Sequence, residues 1–243
     1  MFENMANKIH RSHDRGAANH GWLNTRHSFS FASWYHPDHM GIGPLRVLNQ
    51  DIISGGSGFP PHGHKDMEII SIVLDGALEH RDSEGNVAVI RPGEIQRMSA
   101  GKGVTHSEAN HFKDRSTEFL QIWITPDVTG IDPSYQQVAI DVSKIERNRI
   151  LPVLASPNGS LGGVSINQDA IIYGGEVDAK TKIQHVLEKS RVGYFHLPKG
   201  GAMVGEMILE EGDGVYLFGP ENLNITFTTD SYALVFDLTE KTV

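Results

Sequence analysis

The chain of 243 residues contains no cysteine. That excludes disulfides, thiolate metal ligands and a cysteine nucleophile, and it suits a reducing compartment without requiring one. No apolar run approaches the ~20 residues needed to cross a bilayer. The opening stretch, MFENMANKIHRSHDRGAANHGWL, has no apolar core of the kind a signal peptide carries. A cytoplasmic protein with no membrane association is therefore expected. Positive charge is also scarce: 21 Lys and Arg stand against 30 Asp and Glu, a formal net charge of −9. Direct nucleic-acid binding, which needs clustered cations to neutralise phosphates, is not expected. Neither a Gly-x-Ser-x-Gly elbow nor a P-loop nor a dinucleotide fingerprint occurs.

What is present points to an all-β protein. Glycine is abundant, at 26 residues, and short runs of Val, Ile, Leu and Phe recur between turn signals. LRVLNQDII (45–53), MEIISIVLDG (67–76) and FLQIWI (119–124) read as strands, with tight turns at SEGN (83–86) and RPG (91–93). SGGSGFPPHG reads as a Gly-rich turn between the first two. Short strands with regular turns predict a β-sandwich or small barrel. A turn-rich stretch, 125–163, separates two such sets and predicts domains at 1–145 and 146–243. Within it DVSKIERN reads as a short helical turn capped at Asp141 or Ser143.

The second half repeats the first in outline. VGYFHLPKGGAMV parallels ISIVLDGALEH, EEGDGVYLF parallels RPGEIQRMS, and YALVFDL parallels FLQIWI. Aligning Gly212 with Gly93 sets Ile225 and Phe227 against His106 and Glu108. The second half thus reads as a degenerate copy in which a polar pair has become apolar.

That polar pair is half of a constellation. Along a strand, residues i and i+2 share a face, so His62 and His64 can present two imidazoles to one point, and His106 and Glu108 repeat the spacing. On facing strands these four supply three neutral nitrogens and one carboxylate, a set suited to a divalent first-row metal with positions left open. Glu68 competes for the carboxylate role, but on a straight strand it lies roughly 13 Å beyond His64 at ~3.3 Å per residue. Glu108 is preferred, with Glu68 supporting the centre or salt-bridged. His80 reads as a structural residue of a hairpin end, with a hydrogen bond into the metal centre as the lesser reading. His27, His36 and His39 read as surface or hydrogen-bonded residues. Phe29 and Phe31 read as inward positions of an N-terminal strand, with a lid or wall over a pocket as the alternative. His185 and His196 lack either spacing, so no second metal site is expected.

Gly56-x5-His62-x-His64-x3-Glu68 is similar to the first cupin motif, and Gly103-x2-His106-x3-Asn110 to the end of the second. Gly76 falls one residue later than usual, and Gly101 replaces the usual proline. More specifically, RGAANHGWLNTRHSFSFASWYHPDHMGIGPLRVLNQD, GHKDMEIISIVLDGALEHRDSEGN, QRMSAGKGVTHSEAN and LQIWITP resemble the pirin family, including its bacterial quercetin dioxygenases. The resemblance covers most of residues 15–140. It implies a bicupin of two antiparallel jelly-roll barrels, with metal held only in the first by His62, His64, His106 and Glu108. It implies Fe(II), with Mn, Ni, Cu, Co or Zn as alternatives, and ring-opening dioxygenation of a flavonol such as quercetin with O2. In that reaction Glu108 is expected to shift from ligand to catalytic base, taking the hydroxyl proton once its pKa is tuned near neutrality. Animal members of the family imply a different role, iron- or redox-responsive transcriptional co-regulation through a protein partner.

Overall fold

The computed structural model describes residues 6–140 and 150–240. The segment 141–148, read above as a capped helical turn, lies outside them. The first half contributes β1 (Lys8–His10), β2 (Gly16–Asn19), β3 (Leu23–His27), β4 (Leu45–Ile53), β5 (Gly58–His64), β6 (Glu68–Asp75), β7 (Leu78–Asp82), β8 (Val87–Ile90), β9 (Glu94–Ser99), β10 (Val104–Asn110), β11 (Thr117–Ile124) and β12 (Ser134–Ala139). The second contributes β13 (Val153–Pro157), β14 (Val164–Ile166), β15 (Ala170–Val177), β16 (Lys182–Leu187), β17 (Arg191–Lys199), β18 (Ala202–Val204), β19 (Met207–Leu209), β20 (Gly214–Phe218), β21 (Glu221–Phe227) and β22 (Ser231–Thr239).

A seven-stranded sheet, β12-β9-β6-β11-β4-β3-β2, faces a four-stranded one, β5-β10-β7-β8, to form the first barrel. The second barrel repeats this with β1-β20-β17-β22-β15-β13-β14 and β16-β21-β18-β19. Among the described residues all pairings are antiparallel except β13 with β14. One strand crosses over: β1 comes from the N-terminus yet pairs with β20 in the second barrel, at the edge that β12 fills against β9 in the first. The stretch read as a Gly-rich turn is largely strand, β5. Its two prolines are tolerated because β5 is an edge strand, where a missing N–H costs no ladder bond.

The two large sheets pack back to back. Ile70, Ile72, Leu48, Leu120 and Ile122 of the first meet Leu154, Ile172, Tyr194, Leu234 and Phe236 of the second in one apolar layer. This explains why β6 reads as an unbroken apolar run: one face lines its barrel and the other packs on the neighbouring barrel. Phe29 is fully buried in this layer rather than inside a barrel. Arg97 adds polar links, donating to the Ser165 carbonyl (2.8 Å) and the Ser165 hydroxyl (2.9 Å).

The barrels differ inside. The second is filled by an apolar cluster that includes Ile183, Phe195, Leu223, Ile225, Phe227 and Val235. The first has small apolar plugs at its ends, Leu23, Ile53, Val73, Leu78, Ile90 and Phe119 at one and Ile69, Met98, Ala100 and Val104 at the other. Its waist is polar, with Asn49, Asp51, Ser71, His80, Gln96, His106, Glu108 and Gln121 all buried.

Two predictions follow from this packing. Phe236→Ala should cost about 3–5 kcal/mol by leaving a cavity between the sheets, read as a lower urea midpoint with an unchanged slope. Asp51 is pushed up to about 7, chiefly by burial and also by the charge of Glu108, against a hydrogen bond from Thr25 and the pull of Arg15. The folded chain thus keeps this proton where the unfolded chain has lost it. Its contribution is complete below about pH 4 and is lost as pH rises through 7, with a slope of at most about 1.4 kcal/mol per pH unit. Asp51→Asn should flatten that slope, seen as a smaller difference in denaturation midpoint between about pH 5 and pH 8.

Candidate metal centre

β10 lies between β5 and β7, and its inward residues meet those of both neighbours. His106 stands directly opposite His62, and Val104 opposite His64. The H-x-H and H-x-E pairs therefore sit side by side on neighbouring strands of one sheet, not on facing strands. Between His106 and Glu108 the register slips: Glu108 opposes Phe59, so β5 carries one extra residue at Pro60 and Pro61. His62 Nδ1 donates to the Pro60 carbonyl at 2.8 Å, which leaves its Nε2 as a lone-pair donor 3.1 Å from His106 Nε2. Nε2 of His64 and Nδ1 of His106 are buried without a hydrogen-bond partner. One atom each from His62, His64 and His106 falls within 4.8 Å of the others.

A second triad, His80, His106 and Glu108, satisfies the same limit and shares His106. Glu108 is buried and fixed on both oxygens: Gln121 Nε2 donates to Oε2 at 2.9 Å and Oε1 at 3.2 Å, and Ser71 Oγ donates to Oε1 at 3.1 Å. Trp123 Nε1 in turn donates to Gln121 Oε1 at 3.3 Å. Burial pushes the Glu108 carboxyl up from the ordinary range, against these hydrogen bonds and the nearby His80. His64 is lowered to about 4 by burial and by His62. Burial and then His62, His64 and His80 lower His106 to about 3. His64 and His106 are thus neutral at physiological pH, with nitrogen lone pairs crowded together. A divalent cation of borderline character satisfies such donors together with an adjacent carboxylate, so the residues present fit one.

His80 is the residue that sequence reasoning undervalued. It lies directly opposite Glu108 and is fully buried, with Nε2 3.0 Å from Asp82 Oδ2 and Nδ1 without a partner. The signal was available, because Leu78, His80 and Asp82 share a face and H-x-D repeats the spacing of the other two pairs. Burial raises the Asp82 carboxyl, but hydrogen bonds from His80 and Asn86 outweigh it and hold it below its usual value. Glu68 belongs to the opposite face of β6 from Ser71. It accepts from Ser99 at 2.8 Å and from Asn167 of the second barrel at 3.0 Å, with Arg97 Nε 3.9 Å away. It is an inter-barrel residue. His27 bonds Asn49 at 2.9 Å and His39 bonds Tyr216 at 2.8 Å, both buried. His185 pairs with Asp237 at 3.5 Å.

The two departures from the cupin spacing are backbone requirements. Gly76 (φ 84°) and Gly101 (φ 47°) adopt left-handed conformations, and a Cβ would strike Thr117 at the first and the Ile131 carbonyl at the second.

Comparisons with known proteins agree with this architecture. A family model described as Pirin matches residues 8–124, and one described as Quercetinase C-terminal cupin domain matches residues 153–238. A quercetin 2,3-dioxygenase of Escherichia coli K12 is 36% identical over 230 residues, covering 95% of this chain and 97% of its own. The crystal structure of bacterial pirin YhhW from Escherichia coli in complex with nickel(II) superposes with a TM-score of 0.90 at 35% identity, covering 97% of this chain and 100% of that one. YhaK from Escherichia coli matches at a TM-score of 0.72 and 29% identity, over 92% and 98% of the two chains. On this similarity along nearly its whole length, the chain belongs to the pirin family and has the bicupin fold.

Proposed function

We propose that this protein is a metal-dependent dioxygenase that opens the heterocyclic ring of a flavonol such as quercetin. The observation that carries the reading is the convergence of His62, His64 and His106, their nitrogens crowded and partly without partners, beside a carboxylate aimed by two donors. Support comes from a relative named quercetin 2,3-dioxygenase and from a relative that holds nickel(II).

His62, His64, His106 and Glu108 would hold one divalent ion, with Fe(II) as the proposed metal. Such an ion would stabilise the negative charge of an ionised hydroxyl and supply the redox chemistry that O2 requires. The chain's own residues set up the rest. Glu108, with its carboxyl raised by burial, would take the proton from the substrate hydroxyl next to the carbonyl. Gln121 and Ser71 keep that carboxylate in one orientation, and Trp123 keeps Gln121 in place through its other amide atom. Asp82 fixes His80 by its Nε2, leaving Nδ1 free beside Glu108 as a further hydrogen-bonding group.

Anaerobic loading with Fe(II), Mn(II), Ni(II), Cu(II) or Co(II), followed by admission of air, should give loss of flavonol absorbance with at least one ion. Absence of turnover with all five would overturn the enzyme reading. His62→Ala and Glu108→Ala should abolish metal uptake or activity while circular dichroism stays that of the folded barrel. Gln121→Ala removes the donor that aims Glu108 and should cost about 10–100-fold in metal affinity or activity. Glu108→Gln should lower kcat by about 10²–10⁴-fold with metal content measured alongside.

A further inference from the structure

Trp123 has a side turned away from the metal centre. Its ring stands perpendicular to His64, with centroids 4.9 Å apart, and perpendicular to Phe31 at 5.5 Å. On the Phe31 side lies a cavity of about 340 Å³, walled by Phe31, Trp34, Tyr35, Met67 and Trp123. None of His62, His64, His106 and Glu108 lines it. With the indole between, an occupant of this cavity is a molecule separate from anything the metal centre holds.

The walls have a fixed shape. Residues 31–34 form a tight turn closed by two reciprocal backbone hydrogen bonds, Phe31 N–H to the Trp34 carbonyl (3.1 Å) and Trp34 N–H to the Phe31 carbonyl (3.0 Å). Ala32 within it takes φ 50°, a left-handed conformation that disfavours a residue with a Cβ. Trp34 lies against Gly16, where a Cβ would collide with the indole, so the ring is seated on β2. Tyr35 stands at the rim, 71% exposed. Phe31, read from sequence as an inward strand position, is part of this wall instead.

The chemistry of the lining selects the ligand. Among the described residues around the cavity Arg46 alone is charged, and a 2.8 Å hydrogen bond to the Ser30 carbonyl holds its guanidinium in place. Flat π walls with one fixed cation and no carboxylate suit a planar anion. The volume lies at the small end of ligand sites, the size of a compact aromatic acid.

We propose that this cavity binds a small aromatic carboxylate other than the substrate, and that its occupancy tightens the metal centre through Trp123. The second half rests on the metal-centre reading above. Trp123 packs on His64, and its Nε1 donates to Gln121, whose amide nitrogen donates to Glu108. The indole is itself only partly buried. A ring stacked on its open side favours the one indole position in which Gln121 aims Glu108 and His64 is supported. By linkage, the metal then favours the carboxylate by the same factor.

The test begins with metal-free, full-length protein titrated with 2-naphthoate and with its uncharged analogue 2-naphthamide, read by tryptophan fluorescence and calorimetry. Naphthoate should bind about tenfold more tightly than the amide. Arg46→Gln should remove that preference, and Tyr35→Ala should weaken both about tenfold. Should Arg46→Gln fail to fold, the exposed Tyr35→Ala and the amide carry this arm. Nickel(II) affinity is then measured by calorimetry with and without saturating naphthoate. It should tighten about fivefold in wild type. In Trp123→Phe, which keeps a ring but loses the donor to Gln121, naphthoate should still bind and the gain should vanish. No naphthoate binding, equal affinity for acid and amide, or affinity untouched in both pocket variants overturns the site. Unchanged nickel(II) affinity overturns the coupling, as does a gain that persists in Tyr35→Ala, which would place naphthoate on the metal. Failure of wild type to bind nickel(II) at all sinks the metal-centre reading and the coupling with it, while the metal-free titration still decides the site.

Discussion

A carboxylate buried in the middle of a β-barrel is the constraint on which the first domain depends. Left without partners, Glu108 would carry a desolvation cost of several kcal/mol or simply stay protonated. The barrel answers with Ser71 from β6 and Gln121 from β11, which stand directly opposite each other in the ladder and both donate to it. Trp123 then occupies the remaining amide oxygen of Gln121. The polar waist of the first barrel gathers around this buried carboxyl group.

The second barrel shows what the same ladder does without that requirement. In the first, Ser71 lies opposite both Gln96 and Gln121, and His106 lies opposite His62. In the second, Phe195 lies opposite both Val215 and Val235, and Ile225 lies opposite Ile183. At these positions a polar inward residue is replaced by an apolar one and an apolar core fills the interior, although His185, opposite Leu223, keeps a histidine where the first barrel has His64 opposite Val104. Buried polar atoms without partners occur in both halves, at His64, His80 and His106 in the first and at His185, His196 and Tyr232 in the second. The N-terminal segment, as β1, completes the sheet of the second barrel and not that of the first.

Much of this was legible in the residues. Apolar runs between turn signals placed β4, β6 and β11, and side-chain parity put His62 with His64 and His106 with Glu108 on shared faces. It also held the answer for Glu68, which shares a face with Ile70 and Ile72 and so points at the other barrel. The linear-distance argument against it as a ligand made no use of that parity. PPHGH reads as a turn by composition, yet edge position allows it to be strand, and edge position is not visible along the chain. His80 was discounted as a hairpin residue because nothing local says that β7 is the neighbour of β10.

What the sequence by itself determined is therefore what depends on local geometry: an all-β chain, two similar halves, two face-sharing polar pairs, and a second half in which one of those pairs is apolar. Side-chain parity is a property of each strand alone, so it survives without knowledge of the neighbours. Only the tertiary structure decided which strands lie together. It set His62 against His106, brought His80 opposite Glu108, and turned Phe31 and Trp123 edge-to-face beside His64. Those pairings join residues tens of positions apart, and strand order is settled by packing two sheets and two barrels together, which no single segment encodes.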